Sequence, residues 1–202
     1  MRGQRVLLIL ALVVTVAGLA GCGSESKDAG PTATPLPGTV LDPPKDVADF
    51  TLTDQRGESF NLSDLRGKAV LLFFGYTNCP DVCPTTLSEF KRVKQELGDD
   101  ADKVAFVFVS VDGERDSPER LAAYVGAFDP SFIGLAGDDA TIRTISRDYG
   151  VFFQRQSYEN EDNYLVDHTA STFVVGPDGR LRVVIPYGTA PDIVAQRVRS
   201  VL

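Results

Sequence analysis

This sequence predicts an α/β fold with a mixed central sheet and a leading β-hairpin. Three observations carry the prediction. A continuously apolar run, 69–74, and a second buried-strand pattern, 104–111, have the composition of strands covered on both faces; segments with apolar residues at helical spacing follow them; and two short strand patterns joined by Gly176-Pro177-Asp178-Gly179 come near the end. With 202 residues, 43% of them hydrophobic, the chain suits one domain with a substantial core plus appendages.

The elements follow in order from residue 47. Asp49-Phe50-Thr51-Leu52-Thr53 alternates as a strand does, Gln55-Arg56-Gly57-Glu58 turns, and Ser59-Phe60-Asn61-Leu62 returns, which makes the hairpin. After the first buried strand, residues 85–97 are helical by the spacing of Leu87, Phe90, Val93 and Leu97. The second buried strand leads to Asp116-Ser117-Pro118-Glu119, where a capping residue, a proline in the first turn and an acid open a helix that reaches about residue 128. A further helix fits 140–149, and the polar stretch 154–164 reads as irregular. Strands at 171–175 and 181–185 and a helix over about 191–201 close the domain. Strands alternating with helices and ending in a hairpin plus helix suit a thioredoxin-like arrangement.

The residues before 47 read differently. Arg2 and Arg5 precede an uncharged apolar run, 6–20, which is an export-signal pattern. At about 15 residues it is short for a membrane span, which needs roughly 20. The run ends at Leu19-Ala20-Gly21-Cys22, which resembles the lipobox of bacterial lipoproteins, where cleavage before the cysteine leaves it diacylated and N-terminal. That resemblance makes 1–21 a lipoprotein signal peptide and Cys22 a membrane anchor. Residues 22–46, rich in Ser, Thr, Gly and Pro, then read as the acylated cysteine and a flexible tether, and 47–202 as the folded domain.

Loss of residues 1–21 removes Arg2 and Arg5 and no acid, so the formal net charge moves from −8 to −10. An anionic body without a basic cluster argues against nucleic acid. It is also mildly repelled by anionic lipid head groups, which leaves attachment to the acyl chains.

The chemistry concentrates in Gly75-Tyr76-Thr77-Asn78-Cys79-Pro80-Asp81-Val82-Cys83-Pro84. With Cys22 acylated, Cys79 and Cys83 remain as a matched pair among three cysteines. Outside the cytosol such a pair can persist as a disulfide. The thiols lie where a buried strand hands over to a helix, and the N–H groups and dipole of a helix N-terminus favour thiolate. Redox exchange and soft-metal binding both use such a pair. Copper(I) accepts thiolates at low coordination number, and an imidazole extends the site toward copper(II). The single histidine, His168, stands just before the strand at 171. In a thioredoxin-like fold the loop entering that strand faces the thiols.

These residues resemble the SCO/SenC copper proteins of cytochrome c oxidase assembly, over about residues 49–202. The cysteine segment is similar to the family's thiol motif, Asp167-His168-Thr169 to its histidine motif, and Ser110-Val111-Asp112 through Arg115-Asp116-Ser117-Pro118 to a further family segment, with Gly113 where a proline is common. The resemblance implies that Cys79, Cys83 and His168 bind copper, Cu(I) and Cu(II). It also implies a metallochaperone that delivers copper to, or prepares, the binuclear copper site of cytochrome c oxidase subunit II. Three ligands on two loops permit stepwise transfer to a partner's thiols and make a poor structural zinc site. Asp81 and Asp167 are candidates for tuning the site's charge or orienting the imidazole, or are solvated turn carboxylates. Tyr76 either shields the thiols or packs, and Asp112 either ends a strand at the site's edge or caps a turn.

Other uses of the same atoms stay open. In a thiol-disulfide oxidoreductase acting on the cysteines of subunit II, Cys79 or Cys83 attacks and the other resolves. Against it, the spacing is Cys-x-x-x-Cys rather than Cys-x-x-Cys, and residues 168–170 hold no proline. Val82-Cys83-Pro84-Thr85 resembles a peroxidatic segment, but Tyr76 and Pro80 occupy the places of its upstream proline and threonine. A purely structural Cys79–Cys83 disulfide closes too short a loop to stabilise much.

Overall fold

The structure, a computed structural model, describes residues 36–156 and 164–202. The expected signal peptide, Cys22 and the first part of the tether lie outside the described residues. Among the described residues no helix is long and apolar enough to cross a membrane. In chain order the elements are β1 (Thr39–Lys45), β2 (Thr51–Asp54), β3 (Ser59–Asn61), β4 (Ala69–Gly75), α1 (Val82–Leu97), β5 (Val104–Ser110), α2 (Pro118–Phe128), β6 (Ile133–Ala136), α3 (Asp139–Tyr149), β7 (Phe153–Arg155), β8 (Val166–His168), β9 (Thr172–Val175), β10 (Leu181–Ile185) and α4 (Pro191–Arg199).

The mixed sheet has eight strands in the order β1-β10-β9-β4-β5-β6-β2-β3. β4, β5 and β6 are parallel, and every other pairing is antiparallel. β4 and β5 sit at the centre with all fourteen residues buried, as continuously apolar strands must in an interior shielded on both faces. Phe108 packs on Tyr124 of α2, and α1 lies against α4, whereas Phe74 and Phe173 meet Tyr149 of α3. Alternate residues of the sheet therefore face α1 and α2 on one side and α3 on the other. α1 buries Cys83, Thr86, Leu87, Phe90, Val93 and Leu97, a stripe with helical spacing that carries the second cysteine into the core.

Three local differences from the sequence expectation have physical reasons. The expected tether of 22–46 ends early, because residues 39–45 pair as β1 along β10, Val40 opposite Val183. Pro43 and Pro44 hid that strand, yet an edge strand needs N–H groups on one side only and tolerates proline. β6 is four residues long with Gly134 inside it, too short to show a period. The stretch expected to be irregular from 154 contains β7, which pairs with β8 so that Phe153 lies opposite His168. Three-residue strands with exposed Gln154, Arg155 and Asp167 give no alternation to read.

Candidate metal centre

Two segments build the site. The first leaves β4 after Gly75, turns with the Cys79 N–H donating to the Tyr76 carbonyl at 3.2 Å, and enters α1 at Val82. Cys83 thus lies in the first helical turn and Cys79 just ahead of it. Pro84 costs nothing at this point, because the N–H groups of a first turn have no intrahelical partner. A vacant N–H group finds the sulfur of Cys79: Cys83 N–H donates to it at 3.4 Å. The second segment is β8, which ends in His168.

Cys79, Cys83 and His168 come together, with their donor atoms all within 4.8 Å of one another. The Sγ of Cys83 is 3.3 Å from Nε2 of His168. The other ring nitrogen, Nδ1, is 3.1 Å from the Thr169 carbonyl, which can only accept, so Nδ1 carries the proton and Nε2 turns a lone pair toward the thiols. The ring is fixed from two sides by edge contacts, with Phe73 at 5.7 Å and Tyr76 at 5.9 Å between centroids. Tyr76, itself buried, packs and screens the site together.

The two sulfurs are electrostatically unlike. Both thiols are free, Cys79 half-buried and Cys83 fully buried. Hydrogen bonding from Cys83, together with the backbone N–H groups of Asp81 and Cys83, outweighs partial burial and brings the Cys79 thiol down to about 3. Burial, and then the neighbouring Cys79 sulfur as bond partner and charge, push the Cys83 thiol up. At neutral pH the pair therefore holds one thiolate and one thiol. Two sulfurs and one imidazole nitrogen, half open to solvent, form a donor set that fits a soft cation such as copper.

The carboxylates singled out in the sequence stand apart from the ligands. Asp81 occupies the N-cap position of α1, is exposed, and makes no side-chain cap, so its contribution is its N–H. Asp167 is exposed and accepts from Gln156 Nε2. The imidazole is oriented by the Thr169 carbonyl, so of the readings left open for Asp167 the structure matches the solvated turn carboxylate rather than the orienting group. Asp112 is buried and accepts from the Tyr164 hydroxyl at 2.5 Å and from Arg115 Nε at 2.6 Å.

Sequence reasoning missed Asp116, which it took for part of a helix cap. Ser117 performs that cap, accepting from the Arg120 N–H, while the Asp116 carboxylate turns inward to the thiol loop and accepts from Thr77 N–H at 3.0 Å and Thr77 Oγ1 at 2.6 Å. Arg120 holds the same loop from outside through Thr77 Oγ1 at 2.8 Å and Asn78 Oδ1. A usable signal existed: a Ser and two Asp stand within seven residues directly after a wholly apolar strand, where buried carboxylates need partners.

Comparison with known proteins shows the family. The SCO1/SenC family model matches residues 40–202. The chain belongs to the SCO1/SenC family. The match starts at residue 40, so it takes in all of β1 but its first residue and covers the segments that carry Cys79, Cys83 and His168. The SCO2-like protein of Rickettsia prowazekii is 35% identical over 177 residues, 87% of this chain and 86% of that one. Among solved structures, apo Sco1 of Thermus thermophilus is 45% identical, with a TM-score of 0.74 over 82% of this chain and 96% of that one. ScoI of Bradyrhizobium japonicum, solved with copper bound, is 40% identical, with a TM-score of 0.71 over 77% and 99%. The thioredoxin-like α/β fold read from the sequence is the fold of these SCO proteins.

Proposed function

We propose that this protein is an extracytoplasmic copper metallochaperone in which Cys79, Cys83 and His168 hold one copper ion. The observation that carries the reading is the convergence of two thiols and a bare Nε2 within 4.8 Å, drawn from two segments of the chain. The copper-bound ScoI of B. japonicum supports it as a relative. The thiolate of Cys79 and the lone pair of His168 meet the ion without losing a proton, and the Cys83 thiol surrenders one. Two thiolates suit Cu(I), and the imidazole adds the harder nitrogen that Cu(II) prefers.

By family, the recipient is the binuclear copper site of cytochrome c oxidase subunit II, and the anchor is an acylated Cys22 that holds the domain on the extracytoplasmic face of the cell membrane. Half-burial of Cys79 lets a partner thiol reach the ion while Cys83 still holds it, so the cargo passes by ligand exchange. The deciding experiment titrates the reduced domain with Cu(I) and Cu(II) and follows stoichiometry and the sulfur-to-copper charge-transfer absorption. One ion per chain is expected, with bands that vanish in Cys79→Ser and weaken in His168→Ala; no uptake of either ion would end the reading.

The unequal thiols favour a second reading, thiol-disulfide exchange on the cysteines of the same subunit. The Cys79 thiolate attacks a partner disulfide and releases one partner thiol. Cys83 then gives up its proton, attacks the Cys79 sulfur of the mixed disulfide, and leaves Cys79–Cys83 oxidised and the partner reduced. Rapid exchange with a model disulfide in a protein that takes up no copper would select this reading over the first.

A further inference from the structure

The two thiols and the imidazole belong to segments that no covalent link holds at ligand spacing, yet their donor atoms lie within 4.8 Å of one another. The turn between β5 and α2 lies against both. Ser110, the last residue of β5, pairs with Gly75 at the end of β4, and Val111 N–H donates to the Gly75 carbonyl at 2.8 Å, so the turn starts where the thiol loop starts.

From there two buried carboxylates reach in different directions. Asp116, 1% exposed, accepts from Thr77 N–H at 3.0 Å, Thr77 Oγ1 at 2.6 Å and Ser110 Oγ at 2.6 Å. Asp112, 5% exposed, accepts from the Tyr164 hydroxyl at 2.5 Å and from Nε of Arg115 at 2.6 Å, and is ion-paired with the same guanidinium. Arg115 also donates from Nη1 to the Tyr164 carbonyl at 2.9 Å and lies 3.4 Å over the Tyr164 ring, which fixes the chain two residues before β8 and so the approach to His168. Ser110 joins the two arms: its hydroxyl donates to Asp116 and accepts the Asp112 N–H at 3.0 Å.

We infer that Asp112 and Asp116 are positioning residues, a bracket on one turn that sets the spacing between the thiols and the imidazole. A buried carboxylate held by two or three donors resists displacement, because moving any donor away leaves charge unpaired in the interior. Asp116 therefore fixes the thiol loop and Asp112 fixes the histidine strand. Because both sit on one short turn, neither half moves without the other. The inference rests on the copper-binding reading for its consequence, but not for its test.

The test separates the arms with variants that each remove one hydroxyl. Thr77→Val cuts the Asp116 arm and Tyr164→Phe the Asp112 arm, while Val198→Ala, a core truncation in α4, serves as a control of lowered stability away from the site. In the metal-free reduced protein the thiol arm is read by the alkylation rate of Cys79, and the other arm by the 15N signals of His168, the chain's single imidazole. In the loaded protein the readouts are Cu(I) affinity and the nitrogen hyperfine pattern of Cu(II).

Thr77→Val is expected to change Cys79 alkylation several-fold and to lower Cu(I) affinity roughly tenfold to a hundredfold, the range for lost outer supports of metal ligands. It should leave the imidazole signals in place. Tyr164→Phe should do the reverse, moving the imidazole signals and the hyperfine pattern and sparing alkylation. Thr77→Ser, which keeps the donor, should restore wild-type values. Should Thr77→Val fail to fold, Ser110→Ala reads the bracket at its joint and is expected to move both halves. Equal shifts of both readouts in both hydroxyl variants, matching Val198→Ala at the same folded fraction, would overturn the inference, as would wild-type values throughout. If the wild-type protein binds no copper, the proposed function falls while the metal-free readouts still decide on the bracket.

Discussion

Replacing Gly75 by Ala would test how tightly the second thiol is built into the sheet. A Cβ at this position would lie 2.8 Å from Cys83 Sγ, 2.8 Å from Phe73 Cε1 and 2.9 Å from Phe108 Cε2. Comfortable carbon contacts are about 3.5–4.0 Å, so three neighbours must each yield most of an ångström. None has room: Phe73 and Cys83 are fully buried and Phe108 is 1% exposed, in an interior packed like an organic crystal. Overpacking of this kind costs about 1–3 kcal/mol. The two rings also pack on each other at 6.2 Å and Phe73 on His168 at 5.7 Å, so the single sulfur atom is the neighbour with least holding it.

The expected outcome is therefore double. Denaturant unfolding of reduced Gly75→Ala should show a loss of about 1–3 kcal/mol, and copper affinity should fall as well, because Sγ leaves its place 3.3 Å from His168 Nε2. Gly126→Ala is the matched control. Gly126 is exposed on α2 with nothing near its would-be Cβ, so the same chemical change should gain about 0.5–1 kcal/mol from helix propensity and leave copper untouched. A Gly75→Ala protein with wild-type stability and wild-type affinity would show that Cys83 does not press against the strand.

Three further outcomes are expected. His168→Ala should weaken Cu(II) binding strongly while Cys79–Cys83 disulfide formation proceeds; unchanged Cu(II) affinity would remove His168 from the site. Because hydrogen bonding brings the Cys79 thiol down to about 3 while burial pushes Cys83 up, iodoacetamide should label Cys79 first even at about pH 5, its rate dropping only as pH falls toward about 3; equal labelling of the two cysteines would contradict the asymmetry. Loss of the protein should lower the copper content of cytochrome c oxidase, with partial rescue by added copper, and a fully loaded oxidase in its absence would count against delivery.

The central strands, the four helices and the leading hairpin were legible because each repeats a period over enough residues to be read. Leu87, Phe90, Val93 and Leu97 mark one face of α1, and the unbroken apolar runs of β4 and β5 have no other use. What escaped was short or at an edge. β6, β7 and β8 have four, three and three residues, and β1 carries two prolines that an edge alone tolerates.

The site divides along the same line, for a chemical reason. Cysteine and histidine have few uses, so Cys79, Cys83 and His168 announce themselves in a sequence that holds three cysteines and one histidine. Aspartate, serine and threonine cap helices, close turns and face solvent throughout the chain, and nothing in their identity says which are buried. Asp167, next to the histidine, could be read as tuning or orienting it or as a solvated carboxylate, and it meets Gln156 at the surface. Asp116, some fifty residues from His168 in the chain, lies buried against the thiol loop because β4 and β5 run parallel and end together, Gly75 beside Ser110. The identity of the candidate ligands is thus a property of the sequence, whereas their spacing is a property of strand register. A change at Ser110 should be felt at the metal site before a change at Asp167.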